Sequence, residues 1–532
     1  MLLSFNRTTM GRKIVFNVTK MGASHLKSGK PCQDYSLSWE SDNKEVQIAI
    51  VCDGHGGETY VRSDMGSKLA AEIALTNIRC FVESVSPTAF LNKSAAITAR
   101  PDDDDDLFPS IKKKDKKDLT ESEIQQQEQN QAFYAAVEKV REQDNLFCRL
   151  FASIYLQWKE AIRKDADENP FTEAEKVCLK NADIVKAYGS TLMAFIRTPL
   201  YWFAFHIGDG KLLCCDRNLN WSEPVPWDCN CFLNITTSLC CSNPIPMFRY
   251  AFSGEGDFPT AVIMGSDGLD DSWGTMDNLK NFYSQTLSII HELGEEKALQ
   301  ELEEYLPVLS SKASRDDMSM AGIIDMENIR IGIEIYKKRR ALKTLSQDKN
   351  KRETELTELK GIQQQVEQEI ENLIKETENK QKSFSEWLNS FFQEKNDQEH
   401  QIQQMKEKLE QKQSEIKGLN EQFSAKTTEY QEWLMNAKAK KDSLTAECDE
   451  LLQVNKIKDS ETLESWSLMK QSFEQQEERR LQEKQNEKKA QMELYNEEAM
   501  KALEECEASQ EKCQASQKEC QASEEEMCDE AE

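Results

Sequence analysis

The chain has 532 residues, a formal charge of −28 and 30% charged side chains. That length allows two to four domains, and the acidity excludes the basic face a nucleic-acid partner needs and any attraction to an anionic membrane. No run of about 18 apolar residues occurs, so no transmembrane helix is expected, and MLLSFNRTTMGRKIVF does not read as a signal peptide. The expectation is a cytoplasmic protein with reduced thiols.

In chain order, the strands are KIVFNV (13–18), VQIAIVC (46–52), TLMAFI (191–196), YWFAFHI (201–207), AVIMGS (261–266) and MSMAGII (318–324). Each has β-type composition or alternation. Helical patterns run over 59–78 and 124–164, the second inside a helical insertion of about 121–180. This mixture predicts an α+β or layered α/β domain over 1–335. Residues 84–120, with Asp102 to Asp106 followed by IKKKDKKD, are expected to be a charged, disordered insertion. Without a scaffold, those aspartates are not counted as a metal site.

From 336 to 532 the grammar changes. All twelve prolines lie at or before Pro307. Leu359, Ile362, Val366, Ile370 and Leu373 recur at three- and four-residue steps, and so do Ile402, Met405, Leu409, Ile416 and Leu419. These make the seam of an amphipathic helix, predicting a coiled coil or helical hairpin. Phe384, Trp387 and Phe391 fall on one face. Near the end, three seven-residue units place Cys506, Cys513 and Cys520 on one stripe, read as a small-residue seam or low-complexity tail. Cys229 and Cys231 lack the second ligand pair that zinc requires.

The chemistry lies in five aspartates at strand ends: Asp34 in PCQDYS, Asp53 in CDGHGG, Asp209 in IGDGK, Asp267 in GSDGLDD and Asp316 in SRDDMS. A single Asp-Gly is ordinary turn chemistry. Five carboxylates carried by strand ends are what a pair of hard divalent cations requires. Such a pair, roughly 3.5–4 Å apart, generates a nucleophilic water and neutralises phosphoryl oxygens. His55, two residues beyond Asp53, can protonate a leaving oxygen. Cys52 belongs to the strand and is expected to point away from Asp53.

With these motifs in order, together with YGST (188–191), roughly the first 325 residues resemble the metal-dependent type 2C serine/threonine protein phosphatases. The resemblance implies a four-layer α/β/β/α sandwich of two antiparallel sheets flanked by helices, followed here by the long helical coiled-coil region. It implies that Asp53 bridges two Mg2+ or Mn2+ ions, with the Gly54 carbonyl, Asp267, Asp316 and Asp34 completing their shells. Asp209, with Asp267, would hold a third, weaker ion, and His55 would be the general acid. The implied substrates are phosphoserine and phosphothreonine proteins, and the tail would form a homodimer or recruit a partner. Two positions depart from the family. Gly29 stands where an arginine usually grips phosphate, leaving Lys30, Lys27 or His25 as substitutes. Asp317 replaces the usual asparagine, and an added carboxylate there is expected to tighten metal binding or repel phosphate.

Overall fold

The structure is a computed structural model. It describes residues 13–100, 121–180, 182–228, 231, 235–388 and 395–529. The strands are β1 (Lys13–Lys20), β2 (Tyr35–Glu40), β3 (Gln47–Cys52), β4 (Ser94–Ile97), β5 (Leu192–Arg197), β6 (Trp202–Ile207), β7 (Lys211–Cys215), β8 (Trp221–Ser222), β9 (Arg249–Ser253), β10 (Ala261–Gly265) and β11 (Met318–Asp325). The helices are α1 (Ala23–Ser28), α2 (Ser63–Ser84), α3 (Glu121–Lys139), α4 (Arg141–Glu168), α5 (Glu173–Leu179), α6 (Ile184–Ala187), α7 (Asp267–Trp273), α8 (Met276–Leu293), α9 (Glu295–Lys312), α10 (Met326–Leu388) and α11 (Lys395–Asp529).

Two antiparallel sheets form, in the orders β1-β11-β10-β7-β8 and β2-β3-β5-β6-β9-β4. They face each other through Ala49, Val51, Met193 and Phe195 on one side and Leu212, Val262, Met264 and Ile323 on the other. Alternation along each strand turns the remaining apolar residues outward. Ile263, Met320 and Ile324 meet Leu279, Leu287 and Leu302 of α8 and α9. On the opposite flank Phe203 packs on Phe81 of α2 and Phe147 of α4, with ring centroids 5.5 and 5.4 Å apart. Burial of each such ring contributes roughly 1.5–3 kcal/mol. Strands covered on both faces read as unbroken apolar runs, and all six residues of β3 are buried. The four-layer sandwich expected from the motifs is therefore present.

Part of the expected charged insertion is ordered. Residues 87–89 form a 3-10 turn and Ser94–Ile97 pairs with β9 at the sheet edge. The cause is one anchor: Phe90 is fully buried, stacked on Tyr201 at 4.5 Å and edge-on to Phe252 at 5.5 Å. The aspartate run 102–106 lies outside the described residues.

α10 leaves β11 directly, with Asn328 N–H donating to Asp325 Oδ1 at 3.2 Å. α11 returns alongside it. Tyr430 O–H donates to Glu353 at 2.7 Å, Lys426 bonds Glu355 at 3.2 Å, Gln363 bonds Asn420 at 2.6 Å and Lys412 bonds Glu369 at 2.9 Å. One number rises as the other falls, the mark of an antiparallel hairpin. Val366, Ile402 and Met405 of the anticipated seam are buried, whereas Ile362 is 46% exposed. Further along, Asn455 is fully buried and donates to the Arg217 carbonyl at 2.9 Å and to Asn218 Oδ1 at 2.8 Å. Asp459 pairs with Arg217 Nε at 2.7 Å. By internal contacts the chain divides at Ser460 and Glu461. The second unit is helical through Asp529. Phe391 and the side chains of Trp387, Cys506 and Cys520 lie outside the described residues.

The hairpin predicts an intrachain cross-link. Oxidising a Gln363→Cys, Asn420→Cys double variant should yield a band of monomer mass on a non-reducing gel. A dimer-sized band would mean that these helices pair between chains.

Candidate metal centre

Asp53 follows the last residue of β3, and its main chain is fastened to the YGST segment. Its N–H donates to Thr191 Oγ1 at 3.0 Å, and its carbonyl accepts the Thr191 N–H at 2.8 Å. Gly54 bridges to Ser190, and His55 N–H donates to the Gly189 carbonyl at 3.1 Å. Gly54 passes so close to the PCQD loop that a Cβ there would lie 2.3 Å from the Gln33 carbonyl oxygen. Gln33 clasps both loops, its side-chain amide donating to Ser63 Oγ at 2.5 Å and to the His55 carbonyl at 3.2 Å. Cys52 is fully buried within its strand.

Asp267 opens α7 immediately after β10, and Asp316 sits on the turn before β11. The neighbouring Asp317 carboxylate is almost completely buried and already engaged. It accepts N–H groups of Gly22 and Gln33, both at 2.6 Å, and contacts His25 Nδ1 at 2.8 Å. Asp317 ties β1, α1 and the Asp34 loop to β11, and its charge raises the proton affinity of Asp34. It also removes His25 as a phosphate group. Lys27 is exposed on α1, and Lys30 donates to the Gly56 carbonyl in the DGHGG loop at 3.3 Å.

Asp209 lies in the turn between β6 and β7. Behind it Arg249, buried in the sheet, donates to the Gly208 carbonyl at 2.5 Å and to the Pro226 carbonyl at 3.0 Å. Lys211 stands 4.0 Å from Asp270 and 3.3 Å from the centre of the Trp227 ring.

The five acids come from five segments and share one electric field. Asp34 holds its proton well above the ordinary carboxyl range, because of burial first, then Asp317, Asp267 and Asp316. Asp53 is raised by burial and by Asp267, Asp34 and Asp209. Asp267 and Asp209 are raised too, and burial pushes Asp270 up to about 8. Asp34 Oδ2 is buried without a hydrogen-bond partner. Among the described residues no three His, Cys, Asp or Glu side chains converge on a single point. Asp53 and Asp267 are nonetheless close enough that each moves the other's proton affinity. Like charges forced together, an orphaned carboxylate oxygen and an all-oxygen donor set fit hard divalent cations.

His55 lies two residues beyond Asp53, its ring 4.7 Å from that of Tyr60. Burial, and then the charge of Lys186, lowers its pKa to about 4. Gly189 makes this packing possible, since a Cβ there would lie 2.6 Å from both rings. Just beyond, Arg62 docks the helical insertion against the site. It lies 3.9 Å over Phe171, bonds Glu175 at 2.9 Å and reaches the Tyr188 hydroxyl at 3.1 Å. Tyr188 O–H in turn donates to Asp165 at 2.5 Å.

Glu175 also caps α5 through Thr172. Its hydrogen bond from Arg62 lowers its pKa to about 2. The unfolded carboxyl, near 4.5, binds protons first as pH falls. Its stabilisation is therefore present above that value and lost toward pH 2. Glu175→Gln is expected to cost about 1 kcal/mol at pH 7, discounted for solvent exposure, and almost nothing near pH 2.5, read from urea melts at both pH values.

Thr191, Arg62, Arg249 and Gln33 were not singled out from sequence. Only Thr191 carried a signal, its place in YGST. Every cysteine whose state is described is free.

No curated protein matches the chain. Among solved structures it is similar to a bacterial serine phosphatase at 12% identity, covering 59% of this chain and 98% of that one, with a TM-score of 0.33. It is similar to the serine/threonine phosphatase Stp1 from Staphylococcus aureus at 14% identity, covering 60% and 99%, TM-score 0.32. The catalytic domain of PstP in complex with two manganese ions is similar at 14%, covering 59% and 97%, TM-score 0.32. The family model for protein phosphatase 2C matches residues 21–307, more than half of the chain. With the sandwich and the acid cluster in place, that match shows that the chain belongs to the protein phosphatase 2C family.

Proposed function

We propose that this protein hydrolyses phosphoserine and phosphothreonine in proteins with the help of divalent cations. The observation that carries the reading is the acid cluster around Asp53, carboxylates from distant segments whose mutual repulsion bound cations would relieve. Asp53, Asp267, Asp316 and Asp34, with the Gly54 carbonyl, would hold two Mg2+ or Mn2+ ions, and Asp209 with Asp267 a third. Such ions, when bound, neutralise phosphoryl oxygens and acidify a water molecule. The chain's own part is orientation. Thr191 and Ser190 hold the Asp53 segment, Gln33 holds the Asp34 loop against α2, and Asp317 locks the turn that bears Asp316. His55 is neutral near pH 7 in its buried setting. A phosphate dianion arriving beside it raises its proton affinity, and the ring then gives a proton to the leaving serine or threonine oxygen.

Residues 1–335 are read as the catalytic part and 336–532 as a helical region that recruits a partner or a second copy. No helix among the described residues is long and apolar enough to cross a membrane. The free thiols among the described residues suit the reducing cytoplasm. The test is hydrolysis of a phosphothreonine peptide by the full chain with Mn2+ or Mg2+, and again with chelator. Turnover that requires metal supports the reading. Metal binding by calorimetry without turnover would favour a phosphoprotein-binding scaffold instead.

A further inference from the structure

β1 and β2 are the edge strands of the two facing sheets. Where these edges meet, the side chains are small and polar. Asn17 Nδ2 donates to the Ser36 carbonyl at 3.1 Å, and the Thr19 hydroxyl lies 2.7 Å from that of Ser36 and 2.8 Å from that of Ser319. Large apolar residues would seal such an edge, but short polar ones satisfied by one another leave space. The result is a cavity of about 500 Å3 between β1, β2 and the first turns of α2. That volume lies in the range of pockets that hold a ligand.

The cavity adjoins the acid cluster, because buried Asp34 lines both. Its other walls have a definite chemistry. Met21 and Met65, both half-buried, supply flexible thioether surface. Asp64, also half-buried, supplies a carboxylate in the first turn of α2. Its neighbour in the chain, Arg62, is committed to Glu175 and to the Asn169 carbonyl. Lys68, one turn further along α2, is exposed at the rim. An apolar wall ending at a carboxylate matches the side chain of lysine or arginine, whose alkyl stem packs while its charge stays polar-bonded. The net charge of −28 also concentrates cationic peptides around the protein.

On the phosphatase reading above, we propose that this cavity is a specificity subsite for a lysine or arginine close in sequence to the phosphorylated serine or threonine. Asp64 receives the charge, and Met21 and Met65 cover the stem. The substrates selected are then phosphoproteins with a basic residue near the phosphate.

The test uses the full chain with Mn2+ and phosphothreonine peptides that differ only in carrying arginine, alanine or glutamate, placed in turn at each of the three positions on either side of the phosphothreonine. At one position or more, arginine should raise kcat/KM about 10-fold or more over alanine, the worth of a charged hydrogen bond. In Asp64→Asn that ratio should fall toward one, while turnover of the alanine peptide and of p-nitrophenyl phosphate, which has no flanking residue, is kept. A variant that merely folds badly would lose all three substrates together. Arginine and alanine peptides turned over equally at every position would overturn the proposal. So would an arginine preference that survives in Asp64→Asn, or a glutamate preference lost in Lys68→Gln. If wild type hydrolyses neither the peptides nor p-nitrophenyl phosphate, the phosphatase reading fails separately. Fluorescence anisotropy with the same labelled peptides then decides: tighter binding of an arginine peptide, lost in Asp64→Asn, upholds the subsite, while equal or absent binding of arginine and alanine peptides ends it.

Discussion

Asp267→Asn should abolish Mn2+- or Mg2+-dependent hydrolysis of a phosphothreonine peptide, by about 10²–10³-fold or more, and yet make the metal-free protein more stable. Both effects follow from one arrangement. Asp267 opens α7 facing Asp53, within the fields of Asp209, Asp316 and Asp271. As a ligand it would contribute charge where the transition state needs cations, and removing such preorganised electrostatics costs at least that factor. As part of the fold it is a liability. Burial, and then its acidic neighbours, raise its folded pKa to about 6 from an ordinary 3.8. The unfolded chain therefore releases this proton first as pH rises. Stability from this group is fully present below about 3.8, falls up to about 6, and stays lost at neutral pH. The neutral amide escapes that loss, worth on the order of 1–3 kcal/mol. Thermal melts in chelator at pH 7 should show the variant above wild type, with added Mn2+ reversing the order. A variant that keeps its activity would remove Asp267 from the site. A variant that melts lower in chelator would mean that its role is structural.

Asp317→Asn should act in the opposite sense: a clear loss of stability with little change in metal affinity. Asp317 accepts from two backbone amides and from His25, one carboxylate oxygen facing Gly22 N–H and the other facing Gln33 N–H and His25. Asparagine offers a single acceptor oxygen. Whichever way the amide turns, its NH2 group points at a buried N–H. The expected cost is about 2–4 kcal/mol, a buried donor left unsatisfied plus the lost charge assistance. Urea unfolding of the two proteins measures it, and Mn2+ titration by calorimetry checks the metal side. If stability is unchanged while metal or phosphate affinity shifts, then the carboxylate serves the site after all, as its place in SRDDMS first suggests.

How much of this could be read before the fold was known depends on how local each constraint is. Strand runs such as those of β3, β6 and β10 announce themselves because burial on both faces leaves no room for polar residues. Asp53, Asp209 and Asp267 stand out in sequence because each follows an apolar strand run and precedes a glycine. β4 was not legible, since four residues anchored by Phe90 have no periodicity of their own. The structural ties of Asp317 were not legible for a related reason. Two adjacent aspartates look alike in a string, but only Asp316 is exposed, while Asp317 turns inward to amides almost three hundred residues away. The boundary at 335 marked a true change in composition, yet Asn455 and Asp459 bring the returning helix back to the turn at Arg217.

By itself the sequence determined the sandwich, the family and the helical nature of the second half. All are encoded in short-range patterns of apolar spacing, glycine and charge. Only the tertiary structure decided which charges are free to meet a ligand. His25 looks available in the chain but is buried against Asp317 in the fold, whereas Lys30 stays exposed at the DGHGG loop. Partner choice of this kind depends on hydrogen bonds and fields between segments far apart in the chain, and no local pattern carries it.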